Sequence, residues 1–247
     1  MNRFTIENKN KFCRYFLEPL AKLNPRCILV IEKDKIRAKS AYPDKTLFLE
    51  ATTSIETDIL DEKDVKELAF VDLTRFIKTL DFIQKDVVSL KLDKNFISYK
   101  DSANHFVMQL YDSKIVTLPK LNFEQVHKMD FELDLDLDVS IFFEIIKAGG
   151  VYPDLNKLYL DFANNTLKIE LTDKLKSCCD GFTRTIENIS TGDVCTDFVL
   201  PLDALRIILT NKVEKIKFRY HKQKPLVNLL YDIDGIHMSY VVPCINK

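Results

Sequence analysis

The chain has 247 residues, 36 Lys+Arg against 37 Asp+Glu, a formal net charge of -1 and 46% apolar residues, with only 5 Gly and 8 Pro. This composition suits a globular protein of one large domain or two of ordinary size. Its apolar runs, such as residues 27–31, are strand length and far short of the roughly 20 residues of a membrane helix, which excludes a transmembrane protein. Charges at Arg3, Glu7, Lys9, Lys11, Arg14 and Glu18 leave no apolar core for a secretory signal, so the protein is expected to stay where it is made.

In chain order, Phe4 and Ile6 alternate with polar residues as a strand does, and Phe12, Cys13, Phe16, Leu17, Leu20 and Leu23 then recur at helical spacing. Strand-like runs follow at 26–32, 35–41 and 46–53, separated by turn chemistry such as Tyr42-Pro43-Asp44. The unit is βαβββ, and it recurs. Residues 67–71 read as a strand, 73–82 as a helix, and 87–92, 96–100 and 105–111 as strands. A less periodic stretch from 112 to about 128 leads to a strand at 129–136, a helix at 139–148, and strands at 157–162, 166–171 and 177–186. The fourth round has a strand at 196–200, a helix at 202–209 and strands at 215–220, 226–231 and 236–242. Four units in one chain predict an α+β protein of two similar domains, each a doubled unit, with boundaries at 1–112, a connector at 113–128, and 129–247. Pro19 falls inside the first helix, lacks an N–H and crowds the carbonyl of Tyr15, so a kink or break near Glu18 is expected.

Each helix buries one face and exposes the rest. The exposed faces carry Lys11, Arg14, Lys22, Arg75, Lys78, Lys147, Arg206 and nearby Lys212, against the acids Glu18, Asp81, Glu144 and Asp203. The helices are therefore net +4 in a chain of net -1. Solvated faces with a chance imbalance would look the same. Asp134, Asp136 and Asp138 alternate with leucines and could be drawn as a metal-binding row for a nuclease, but a period of two is also that of a half-buried strand. The six cysteines, Cys13, Cys27, Cys178, Cys179, Cys195 and Cys244, form no C-x-x-C pair and read as reduced thiols. Gly149-Gly150 follows a helical pattern and reads as its C-terminal cap rather than a phosphate cradle. No catalytic set, metal site or cofactor site emerges.

The tail Pro225-Leu226-Val227 with Tyr231, Asp234-Gly235, Tyr240, Pro243 and Ile245 resembles the closing strands of the proliferating cell nuclear antigen family of sliding clamps, and the segment from Val71-Asp72-Leu73-Thr74 through Phe76, Lys78 and Leu80 to Val87–Leu92 is similar to that family's second helix and next strand. The length also suits the clamps of T-even-type phages. The resemblance implies a non-enzymatic homotrimeric ring, the processivity factor that tethers DNA polymerase to duplex DNA after a clamp loader closes it. Its setting would be the cytoplasm of a bacterial host or a eukaryotic nucleus. Twelve helices at roughly 10 Å each would make a circle about 38 Å across, and the eight basic residues would face phosphates without reading bases. The resemblance further implies a pocket for partner peptides at Ala41, Leu47, Pro225, Tyr240, Pro243 and Ile245. It implies a subunit contact that joins Phe106, Val107, Met108, Gln109, Leu110 and Tyr111 to Cys178, Cys179, Phe182, Arg184 and Ile186 of the next chain. A clamp-fold transcription or assembly factor that does not encircle DNA is the alternative.

Overall fold

A computed structural model describes residues 2–58, 65–93, 95–117, 119–176, 179–189, 194–209 and 213–245. The first repeat holds β1 (Asn2–Ile6), a helical stretch built from α1 (Lys9–Lys11), a π-helical turn (Phe12–Leu17) and α2 (Glu18–Leu23), then β2 (Cys27–Ile31), β3 (Lys35–Ala41) and β4 (Phe48–Ser54). After the short β5 (Glu56–Thr57) comes the second repeat: β6 (Lys66–Phe70), α3 (Leu73–Asp81), β7 (Val88–Leu92), β8 (Phe96–Lys100) and β9 (His105–Gln109). A 3-10 turn (Ser113–Ile115) and α4 (Phe123–His127) precede the third: β10 (Leu133–Asp138), α5 (Ser140–Val151), β11 (Lys157–Ala163), β12 (Thr166–Leu171) and β13 (Phe182–Ile186). The fourth is β14 (Thr196–Pro201), α6 (Leu202–Ile208), β15 (Lys215–His221), β16 (Leu226–Ile233) and β17 (Ile236–Pro243).

The repeats interlock by exchanging their first strands. In the N-terminal pair, β1 lies beside β7-β8-β9 of the second repeat, while β6 of that second repeat lies beside β2-β3-β4 of the first. The C-terminal pair repeats the exchange, with β14 beside β11-β12-β13 and β10 beside β15-β16-β17. Every register resolved is antiparallel, which the short hairpin connections permit. Asn164 and Asn165, both at positive φ (52° and 57°), close the β11–β12 hairpin. Asp234 and Gly235 (53° and 81°) close β16–β17, the two-residue turn that a right-handed strand twist favours.

Compact units divide after Leu121, within the segment read as a connector. One comprises Met1–Leu121 with the hairpin tip Asp232–Met238, the other Asn122–Tyr231 with Ser239–Lys247. In the first unit Phe4, Phe16, Leu17, Leu29, Phe76 and Leu90 are fully buried, and Phe70 stacks on Phe76 with ring centroids 4.8 Å apart. A run of rings, Phe142, Phe162, Phe198, Phe218 and Tyr220, forms the second core, its closest pair Phe198–Tyr220 at 4.0 Å.

Four local readings change. Pro19 does not break the first helix. The turn ahead of it widens to π, Glu18 N–H donating to Cys13 O five residues back, with the backbone still right-handed helical, so the missing donor falls where the register shifts. Gly149 and Gly150 lie inside α5 rather than capping it. At Gly149 an added Cβ would sit 2.3 Å from Leu202 Cδ2 and 2.8 Å from Arg206 Nη2, so the absent side chain is what lets α6 approach α5. The strand expected at 129–136 runs Leu133–Asp138, and that expected at 177–186 is resolved only as Phe182–Ile186. The short α4, capped by the Asn122 side chain on Gln125 N–H, was not anticipated within the connector. Among the described residues no helix is long and apolar enough to cross a membrane.

Candidate nucleic-acid interface and partner site

Four cations on the helices of the first unit face outward, whereas Lys9 is buried with its ammonium on Ile83 O. Arg14, Lys22, Arg75 and Lys78 are exposed, while Phe12, Phe16, Leu20, Leu73, Phe76 and Leu80 fill the opposite faces. Arg14 lies over the Tyr15 ring with its guanidinium carbon 5.6 Å from the centroid. Lys11 is half-buried and its ammonium donates to Asp234 O on the hairpin tip, which holds the side chain while leaving its charge in place. Asp72 caps α3 by accepting from Arg75 N–H at 3.1 Å, fixing where the helix begins and which face carries Arg75 and Lys78.

The second unit is different. Arg206 is tied to Asp203 one turn back at 2.7 Å, and the exposed Lys147 shares α5 with Glu144, itself paired to Arg184 of β13 at 3.3 Å. Among the described residues α5 and α6 are balanced, Lys147 and Arg206 against Glu144 and Asp203, and α4 adds Glu124. Among the described residues the helix excess lies in the first two repeats, while Lys212, counted with the fourth, lies outside them.

A cavity of about 440 Å³ opens on the first unit where the connector residues Thr117, Pro119 and Leu121 pass over Ala41, Tyr42 and Phe48, with Arg26, Lys39 and Lys45 at its margin. The connector is pinned just upstream, where Val116 is buried against Ile28 and Ala69. Of the residues expected to receive a partner peptide, Ala41 lines this cavity. Leu47 is buried, at 1% exposure. The remaining four belong to the C-terminal unit. Tyr240 is wholly enclosed there, its hydroxyl 3.4 Å from that of Tyr231, and burial raises both phenols, Tyr231 to about 12. Pro225 O accepts from Cys244 N–H at 2.9 Å and Ile245 N–H donates to Val199 O at 3.0 Å, so the tail is stitched onto β14. Tyr240 is thus a core residue and Ile245 a strand-pairing one, where the resemblance implies the lining of a partner pocket.

The two strands of the expected subunit contact both lie at sheet ends. β9 ends the sheet β5-β1-β7-β8-β9, and β13 ends β13-β12-β11-β14. Leu110 N–H→Asn95 O and Asp101 N–H→Asn104 O flank the β8–β9 ladder. Alternation in an antiparallel pair then directs the backbone of Phe106, Met108 and Leu110 toward β8 and that of His105, Val107 and Gln109 outward. Leu110 and Tyr111 turn off the edge, Tyr111 N–H donating to Ala69 O at 3.1 Å. On β13, Thr183, Arg184 and Thr185 are exposed and Phe182 and Ile186 half-buried. Cys179 precedes the strand, exposed, with its thiol on Asp180 O, while Cys178 lies outside the described residues.

The aspartate row is a half-buried strand. Leu133, Leu135 and Leu137 are buried, Asp134 pairs with Lys217 and Arg219 at 3.1 and 2.9 Å, and Asp138 accepts from Ser140 N–H at 2.8 Å. The Ser140 hydroxyl and N–H hold the Asp138 carboxyl below its ordinary value. No three His, Cys, Asp or Glu side chains gather as a metal site among the described residues. Burial pushes the Cys13 and Cys27 thiols up to about 12, away from thiolate chemistry.

Neither a protein-family model nor a curated protein sequence matches the chain. Solved structures do. The chain is similar to A. fulgidus PCNA in its complex with the C-terminal region of FEN-1, at TM-score 0.73 and 10% identity over 100% of this chain and 99% of that one. It is similar to the H. pylori beta clamp bound to 5-chloroisatin, at 0.73 and 16% over 99% of this chain and 64% of that one. A PCNA2–PCNA3 complex from Sulfolobus tokodaii matches at 0.66 and 13%, covering 98% of both chains. With two strand-exchanged pairs of βαβββ repeats and agreement along its whole length, the chain has the fold of the sliding clamps.

Proposed function

We propose that this protein is a sliding clamp: three copies close into a ring around duplex DNA, β9 of each pairing with β13 of the next, and the ring tethers a DNA polymerase. The reading rests above all on the clamp fold matched end to end, combined with helices whose outward faces carry Arg14, Lys22, Arg75 and Lys78. Such cations attract phosphates without reading sequence, as sliding requires. A clamp loader opens and closes the ring, and partner peptides dock an apolar anchor in the cavity beside Ala41, Tyr42 and Phe48. The protein does no chemistry of its own and works in whichever compartment holds replication, the cytoplasm of a bacterial host or a nucleus.

Mass and topology test this together. Three chains of 28.7 kDa make about 86 kDa by sedimentation. A loaded ring should stay on closed circular DNA and run off when the circle is cut. Monomers at every concentration, with retention indifferent to DNA ends, would instead favour a clamp-fold transcription or assembly factor that does not encircle DNA. The balanced charges of α5 and α6 among the described residues are the observation that favours this second reading.

A further inference from the structure

The solvent face of β1, β7 and β8 holds a second cavity, of about 330 Å³, that neither tethering nor ring closure uses. Its origin is a gap in the sheet. The β7–β8 ladder runs only over Lys91–Ser98 and Leu92–Ile97, whereas β8 continues beside β9 as far as Lys100. The cavity opens where the two strands part, and among the described residues Arg3, Lys85, Lys91 and Lys100 line it with one carboxylate, Asp101.

Two features of this cluster call for an anion. Arg3 and Lys91 are direct cross-strand partners, and like charges placed opposite each other destabilise a sheet; Asp58, whose N–H donates to Arg3 O, flanks Arg3 on the side away from Lys91. The carboxylate is already engaged, accepting from Tyr99 Oη at 2.7 Å and from Ala103 and Asn104 N–H at 2.8 and 2.6 Å. Lys85 stands 4.0 Å from Asp101, and Lys91 is 3.5 Å from Asp93 outside the cavity. Asp101 therefore works as an anchor for Lys85 and Tyr99. Among the described residues four cations stand against Asp101 and, beside Lys91, Asp93, which leaves an excess of two positive charges, and Ser98 beside Lys91 adds a hydroxyl donor. A terminal diphosphate carries about three negative charges at neutral pH and offers several acceptor oxygens to charge-assisted donors.

We infer that this cavity is a binding site for a diphosphate group, free or as the tail of a nucleotide. Val87, exposed at 57% on its wall, is the surface a nucleoside would cover. The site belongs to one chain and does not depend on ring formation.

Calorimetry of the full chain with pyrophosphate and, separately, with ADP at low ionic strength tests it. Saturable binding of pyrophosphate is expected, weakened about tenfold in Arg3→Gln and in Lys100→Gln and unchanged in Lys215→Gln, a cation on β15 of the other unit. Tighter binding of ADP identifies the nucleotide as the source, and equal or weaker binding identifies free diphosphate; both outcomes support the site. All variants are on exposed positions, and matching circular dichroism confirms that they fold. The inference is overturned if neither probe binds saturably, or if Lys215→Gln weakens binding as much as the cavity variants do.

Discussion

The two faces of β9 allow assembly to be separated from folding by moving one proline a single residue. The Gln109 backbone points away from β8 and the Met108 backbone points into it, as the flanking Leu110→Asn95 and Asp101→Asn104 bonds require. In Gln109→Pro the lost donor points away from β8, its neighbour in the sheet, so chain stability should change by only about 0.5 kcal/mol. Between chains the same change removes one ladder bond and strands the opposing carbonyl. Together these cost about 2–4 kcal/mol per interface, or roughly 30- to 1,000-fold in association. Met108→Pro should do the reverse, removing a bond to β8 and costing about 3 kcal/mol of fold stability. Sedimentation over a concentration series, read beside urea denaturation, distinguishes the two. A Gln109→Pro protein that is still trimeric at wild-type concentrations, or one that unfolds as readily as Met108→Pro, would show that β9 is not the assembly edge.

Other expectations follow from single contacts. Replacing Arg14, Lys22, Arg75 and Lys78 together by Ala should lower the salt slope of DNA binding by about 3–4, near 0.9 per lost phosphate contact, whereas Lys147→Ala with Arg206→Ala should change it little, as filter binding across salt concentrations can show. Gly149→Ala drives a Cβ into the fully buried Leu202 and should cost about 1–3 kcal/mol in chemical denaturation. Deleting residues 243–247 removes the Cys244→Pro225 and Ile245→Val199 bonds, so the C-terminal unit should lose about 1–3 kcal/mol, visible as earlier hydrogen exchange on β14. Asp101 is held at about 2, against an ordinary 3.8, first by the Tyr99 hydroxyl and then by the Asn104 and Ala103 N–H groups. A depressed folded value means that its contribution is complete above about pH 4 and is lost as pH falls through about 2. Over that window wild-type stability should fall more steeply than that of Asp101→Asn in acid titrations followed by circular dichroism.

The order of elements was legible because period and turn chemistry are local. Phe76, Ile77 and Leu80 mark a helix wherever they pack, and Asn164-Asn165 marks a tight hairpin. What was not legible depended on neighbours distant in sequence. Gly149-Gly150 looks like a helix end until Leu202 is known to press on it. The π turn before Pro19 conserves a helix that proline rules alone would break, because Phe16 and Leu17 have a core to fill on the next turn. Strand exchange between repeats leaves no mark on any single strand, since β6 reads the same whether it pairs with β7 or with β2.

Charge shows the same boundary between local and distant information. The Asp203–Arg206 pair is one helical turn long and could be counted from sequence spacing alone. The Glu144–Arg184 pair spans a helix and a strand forty residues apart in the chain, and only the fold reveals it. Counting charges per helix registers Glu144 and Asp203 but not the partners that engage them. Tyr240 carries the complementary lesson. Position near a chain end suggested exposure, but the unbroken apolar run Tyr240-Val241-Val242 is that of a strand covered on both faces, and β17 is buried from Met238 to Val242. What the first unit itself leaves open is the cavity under the connector's Pro119 and Leu121, over Ala41 and Phe48. Because Val116 pins the connector upstream, the residues that shape that opening are also those that determine how far it can widen for a ligand.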